Sequence, residues 1–134
     1  MIRSDDTGKL VLRMALGVLI LLHGVAKIHG GVANVSSNLA AHGLPTALAY
    51  LTYVGEVIAP VLLIIGVYTR VAGWITVINM LVALWLVHLG QIGSLNKQGG
   101  WALELQGMFL FGAMAVAFLG AGRFSVGGNS GRFN

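Results

Sequence analysis

The interval 71–96 contains no Asp, Glu, Lys or Arg. A helix needs about 20 mainly apolar residues to cross the hydrocarbon core of a bilayer, so this interval alone is long enough. The remainder of the chain is similar, since 57% of all residues are hydrophobic and only 9% are charged. Soluble domains carry about 25% charged residues. The sequence therefore predicts an integral membrane protein.

Four stretches have the length and hydropathy of transmembrane helices, which predicts an all-α, four-helix transmembrane bundle. The connection between the first two is longer than the others and has apolar residues at helical spacing, which predicts a short interfacial helix. We assign residues 1–126 to the membrane domain and residues 127–134 to a flexible C-terminal tail. The predicted spans are 8–30, 47–68, 71–91 and 101–122.

The basic residues indicate the orientation of the bundle, because cytoplasmic loops of membrane proteins are enriched in Lys and Arg. Only Lys27 and Lys97 fall on one side of the predicted spans. The sequence therefore predicts that both termini are cytoplasmic. We expect Arg13, within the first span, to extend its side chain to the inner surface. The basic residues on the side of the termini are Arg3, Lys9, Arg13, Arg70, Arg123 and Arg132.

Ionisable residues inside a membrane usually face the bundle interior and mark functional sites. At 1.5 Å rise per residue, five of them lie in the outer half of the bundle although they come from four spans. Tyr53 and Trp85 share helix faces with two of these residues. We therefore predict a polar pocket that opens outward. Its candidate residues are His23, Lys27, Tyr53, Glu56, Trp85, His88 and Glu104.

Two further residues bear on this pocket. Pro60 lacks the N–H that would bond the carbonyl of Glu56, so we expect that carbonyl to be free beside the carboxylate. Asn79 lies opposite His88 on an ideal helix, and we expect it to hydrogen-bond a neighbouring helix instead.

The composition excludes several classes of function. The chain has no Cys, which excludes disulfides, iron–sulfur clusters and thiolate zinc sites. The basic residues are scattered singly, so no nucleic-acid surface is predicted. We predict no metal site. His23 and His88 could serve as haem ligands, an alternative to which we give little weight.

Several short segments resemble the DoxX family of small bacterial membrane proteins. The resemblance extends over about residues 13–126 and rests on the order and spacing of the segments. It implies a four-helix protein of the bacterial inner membrane, associated with thiosulfate:quinone oxidoreduction, quinone or catechol stress and membrane oxidoreductase complexes. The segments are 23–27 (HGVAK), 55–60 (GEVIAP), 66–70 (GVYTR), 99–104 (GGWALE) and 120–125 (GAGRFS).

Three functions remain open at this point. The first is a redox-associated protein whose pocket binds a quinone or similar small molecule, with electrons supplied by a partner oxidoreductase. The second is a non-catalytic accessory subunit of a larger membrane complex, which itself could be oligomeric. The third is a carrier of protons or small molecules, since His and Glu inside a membrane often form proton relays.

Overall fold

The computed structural model describes residues 4–134 and is helical throughout its ordered elements, with one isolated β-bridge between Leu95 and Trp101. Arg3, one of the residues used to predict orientation, lies outside the described residues. The helices are α1 (Ser4–Gly30), α2 (Ala33–Ala41), α3 (Thr46–Ile65), α4 (Thr69–Gln91) and α5 (Glu104–Leu119).

Three of these helices, α1, α3 and α4, are long enough and apolar enough to cross a membrane. The fourth predicted span is shorter than expected, because α5 begins three residues later and ends three residues earlier than 101–122. The helix predicted between the first two spans is present as α2.

Large apolar side chains lie on both the inside and the outside of the bundle. Leu63, Val77 and Val116 are buried at its centre, whereas Leu22 and Ile78 are about three-fifths exposed. In water this outer surface would be unfavourable, because it would expose large contiguous apolar patches. In a bilayer the same side chains contact lipid, so the distribution fits the predicted membrane environment.

Arg13 corrects one prediction, because its side chain does not extend to the inner surface. It is 1% exposed and lies against the end of α3. Its guanidinium donates hydrogen bonds of 2.6 Å to the carbonyl oxygens of Leu63, Ile64 and Phe124. The last carbonyls of a helix have no partner within the helix and carry partial negative charge, which explains why a buried cation is accommodated there.

The end of α3 also contacts the C-terminal segment. Gly66 ends the helix in the left-handed conformation, with φ at 73°, and its carbonyl accepts a hydrogen bond from the Gly127 N–H. Asn134 accepts a hydrogen bond from the Thr69 hydroxyl at 3.1 Å, and its carbonyl accepts one from Arg70 Nε at 3.0 Å. The predicted division of the chain into a membrane domain, residues 1–126, and a flexible tail, residues 127–134, stays a prediction.

Candidate functional site

A cavity of about 250 Å³ lies at the end of the bundle away from the chain termini. Side chains from α1, α2, α3, α4 and α5 all contribute to its wall, which is apolar apart from a set of hydrogen-bonding and charged groups. Ligand sites typically combine such apolar walls with a few convergent polar groups. The polar lining residues are His23, Lys27, Asn38, Thr52, Glu56, Asn79, His88 and Gln106.

An ion pair between the Lys27 ammonium and the Glu56 carboxylate joins α1 to α3 in this wall. The Glu56 side chain is 9% exposed and that of Lys27 is 27% exposed. A carboxylate this deeply buried needs a partner, because an unpaired buried charge is strongly destabilising. Tyr53 adds a second link between the helices, since its hydroxyl donates to the Lys27 carbonyl at 3.0 Å.

Gly24 allows α1 and α3 to approach closely enough for this pair to form. A Cβ atom at position 24 would collide with the Glu56 carbonyl oxygen, and would lie 2.7 Å from the Glu56 carbonyl carbon and 2.8 Å from Val57 Cγ2. Only a residue without a side chain fits at this contact. Gly24 and Lys27, which both belong to the 23–27 segment, therefore contact the same residue of α3, Glu56.

Glu56 lies within a π-helical segment of α3, Val54–Ile58. The Ala59 N–H donates to the Val54 carbonyl five residues earlier, which is the π pattern. Pro60 follows at once and cannot donate to the Glu56 carbonyl. Single π turns inside α-helices occur frequently at functional sites.

His88 lies in a second π-helical segment, Leu84–His88 of α4. A π turn contains more residues than an α turn, so each residue advances by a smaller angle around the helix axis. The angular separation calculated for an ideal α-helix between Asn79 and His88 therefore does not apply. Both residues line the cavity.

Asn79 also corrects a prediction about its hydrogen bonding. Its Nδ2 atom is buried and has no hydrogen-bond partner among residues 4–134. Its side chain packs against Gly55, where a Cβ atom would lie 2.6 Å from Asn79 Cβ. A buried amide donor without an acceptor costs about 1–3 kcal/mol. Asn79 thus lines the cavity, and its amide donor is buried without an acceptor among the described residues.

The two cavity histidines have different surroundings. His23 packs edge-to-face on Phe109, with ring centroids 5.9 Å apart. His88 Nδ1 lies 3.0 Å from Gln91 Oε1, and its Nε2 makes a long contact of 3.5 Å with Gln106 Nε2. These contacts correspond to the tautomer in which Nδ1 carries the proton and Nε2 accepts. The cavity thus contains a cation, a carboxylate, an amide donor and imidazole groups able to exchange protons.

Four of the seven candidate residues from the sequence line this cavity, namely His23, Lys27, Glu56 and His88. The other three lie elsewhere. Tyr53 bonds the Lys27 carbonyl, and Trp85 packs on His42 with ring centroids 4.9 Å apart and planes tilted by 45°. Glu104 is exposed with its carboxylate against Gly100. The binding roles of all seven residues stay predictions.

Sequence reasoning overlooked several polar residues of the wall. Asn38 belongs to the α1–α3 connection, where its spacing suggested only the polar face of an interfacial helix. Gln106 is uncharged and adjoins the more conspicuous Glu104. The signal that could have found Gln106 is its position one turn before the buried Phe109 and two turns before the buried Ala113, on the inner face of α5.

Comparisons with known proteins agree with the resemblance seen in the sequence. A protein of Bacillus subtilis (strain 168) named "Putative oxidoreductase CatD" is 30% identical over 87 residues. The match covers 65% of this chain and spans 64% of the length of that relative. An uncharacterized protein of Haemophilus influenzae is 30% identical over 115 residues, which are 83% of this chain and 81% of the relative. No solved structure matches the chain at a significant level.

The family profile described as DoxX matches residues 8–89, which include most of α1, all of α2 and α3 and nearly all of α4. The matched region thus holds the Lys27–Glu56 pair and both cavity histidines. Together with the long apolar helices, this match shows that the chain is a multi-pass membrane protein of the DoxX family.

Proposed function

We propose that this chain is a redox-associated protein of the bacterial inner membrane whose cavity binds the ring of a quinone or similar small molecule. One observation carries the proposal: an ion pair with a buried carboxylate, an amide without a partner among residues 4–134 and two imidazoles all line one mainly apolar cavity. The name of the Bacillus subtilis relative supports a redox association. The sequence resemblance to a family linked with quinone chemistry points in the same direction.

The cavity fits a flat molecule of one or two rings with carbonyl oxygens. Its volume of about 250 Å³ is slightly below the range of about 300–1,000 Å³ typical of drug-sized ligands. Lys27 and Asn79 would donate hydrogen bonds to the ring oxygens, and Lys27 would stabilise the negative charge that develops on reduction. Glu56 and the histidines would exchange the two protons that convert a quinone into a quinol.

The two electrons of that reduction must come from elsewhere, because no side chain of this sequence is suited to carry them. A partner oxidoreductase holding a flavin or haem would supply them. In this arrangement the DoxX chain binds the quinone and handles its protons. The orientation predicted from Lys and Arg would place both termini in the cytoplasm and the cavity in the outer half of the bilayer.

Calorimetric titration of the purified protein with a short-chain benzoquinone tests the proposal. We expect saturable binding, weakened about two- to tenfold in His88→Ala, because the quinone ring would lose an aromatic contact with the imidazole of about 0.5–1.5 kcal/mol. His29→Ala is the matched control, because His29 is exposed at the end of α1 and does not line the cavity. Absence of saturable binding to the natural chain would reject the proposal and leave the accessory-subunit and carrier functions.

A further inference from the structure

A second, apolar space adjoins the cavity on the side of α2 and α4. We call it the apolar groove, and its volume is about 470 Å³. Several of its wall residues are also exposed on the outer surface, including Leu48, Leu51, Ile78 and Trp85. In a membrane this groove therefore opens towards the lipid chains.

The apolar groove and the cavity share part of their walls. Val35, Thr52, Asn79, Val82 and Leu86 line both spaces. Asn79 is the most informative of these residues, since its buried Nδ2 has no acceptor among residues 4–134. A rotation of the Asn79 side chain would present this donor to a ligand oxygen at the junction, while the apolar part of the ligand would extend into the groove.

From this adjacency we infer that the natural ligand is an amphiphile borne by the membrane, with its ring in the cavity and its hydrocarbon chain in the apolar groove. This inference rests on the proposed function and narrows the ligand to a quinone that carries an isoprenoid chain. A water-soluble ring without a chain would leave the groove to lipid.

Charge distinguishes this ligand from a phospholipid. The cavity contains the Lys27 cation and the buried Glu56 carboxylate, which pair with each other. This leaves no net positive charge to bind a phosphate, whereas an uncharged ring with carbonyl oxygens needs only hydrogen-bond donors. A phospholipid would also have to draw its charged head group away from the membrane surface into a mainly apolar cavity, which is costly.

Photolabelling in lipid nanodiscs tests the inference with two probes that share one benzoquinone ring. The first probe has no chain, and its affinity is measured by calorimetry. The second carries a short isoprenoid chain ending in a diazirine, and the labelled residues are identified by mass spectrometry. Ile78→Trp fills the groove, and Leu81→Trp is the matched control, because Leu81 is equally lipid-exposed on α4 but lines neither space.

We expect the chain to label the groove wall around Leu48, Ile78 and Trp85 in the natural chain and in Leu81→Trp. In Ile78→Trp the groove labelling should fall to the level seen without light, while the chainless ring keeps its affinity in all three proteins. Labelling spread evenly over the lipid-facing helices, with the chainless ring still bound, would overturn the inference and leave the proposed function intact. Failure of the chainless ring to bind would instead reject the proposed function, and the inference with it.

Discussion

The contact between Gly24 and Glu56 provides a quantitative test of how the site is held together. Gly24→Ala adds a single methyl group where α1 touches the backbone of α3. That methyl would lie 2.7 Å from the Glu56 carbonyl carbon and 2.8 Å from Val57 Cγ2, whereas non-bonded carbon atoms prefer about 3.5–4.0 Å. The helices must therefore separate by roughly 1 Å, which would also stretch the Lys27–Glu56 pair.

The expected cost follows from two opposing contributions. Overpacking of this kind destabilises by about 1–3 kcal/mol, and we expect the upper half of that range because a backbone carbonyl cannot rotate away. Replacing Gly by Ala inside a helix stabilises by about 0.5–1 kcal/mol. Gly24→Ala should therefore lower the free energy of unfolding by about 1–2.5 kcal/mol, measured by reversible unfolding in mixed micelles of mild detergent and SDS.

Gly8→Ala is the control that isolates the overpacking contribution. Gly8 lies on the same helix, and a Cβ atom there would meet nothing within 4 Å. This variant should be more stable than the natural chain by the helix-propensity gain alone. Equal stability of Gly24→Ala and Gly8→Ala would show that α1 and α3 are not in the close contact described above.

Two further predictions concern the opposite end of the bundle. Arg13→Lys keeps the charge but cannot reach all three carbonyl acceptors, so the free energy of unfolding should fall by about 1.5–3 kcal/mol, and an unchanged value would contradict the buried contacts. Gly66→Ala and Gly43→Ala both place Ala at positive φ, at 73° and 70°, but only the first brings a Cβ into collision with Ser125 Cβ and to 2.7 Å from Arg13 Nη1. Gly66→Ala should therefore cost more than Gly43→Ala in the same unfolding assay, by about 1–3 kcal/mol, and equal costs would refute the close packing of Gly66 against Ser125 and Arg13.

The helices themselves could be predicted because their signal is local. Long apolar stretches bounded by charged or Gly-rich segments place α1, α3 and α4 within a few residues of their observed bounds. The start of α5 differs because Trp101 belongs to the preceding loop, where it forms the β-bridge to Leu95 and its indole N–H donates to the Ile92 carbonyl at 2.7 Å. No periodicity in the sequence distinguishes such a loop residue from the first turn of a helix.

The site was harder to predict, because it depends on departures from ideal helix geometry. Lys27, Glu56 and His88 could be grouped from the sequence, because their similar depth in the membrane follows from the constant rise per residue of a helix. The direction in which each side chain points can be predicted only if the rotation per residue is constant. The π segments Val54–Ile58 and Leu84–His88 change that rotation. For this reason Asn79 joins the cavity against expectation.

Arg13 illustrates a second reason, since its environment is set by where other segments end. An arginine near the start of a membrane helix usually extends to the surface. Here the end of α3 and the carbonyl of Phe124, 111 residues away in sequence, provide acceptors beside it. Contacts over such a separation cannot be read from the pattern around residue 13.

The central claim, that the cavity binds a quinone through its buried polar groups, is tested most directly by two matched carboxylate variants. Glu56 lines the cavity, whereas Glu104 is exposed outside it. Both Glu56→Gln and Glu104→Gln remove one negative charge with little change of shape, and calorimetry with the short-chain benzoquinone measures the affinity of each. We predict that Glu56→Gln weakens binding about tenfold or more, because without its carboxylate partner the Lys27 ammonium is no longer held where it would donate to a ring oxygen, and a hydrogen bond from a charged group contributes about 1.5–3 kcal/mol. Glu104→Gln should bind like the natural chain. Equal affinities in the two variants would contradict the account.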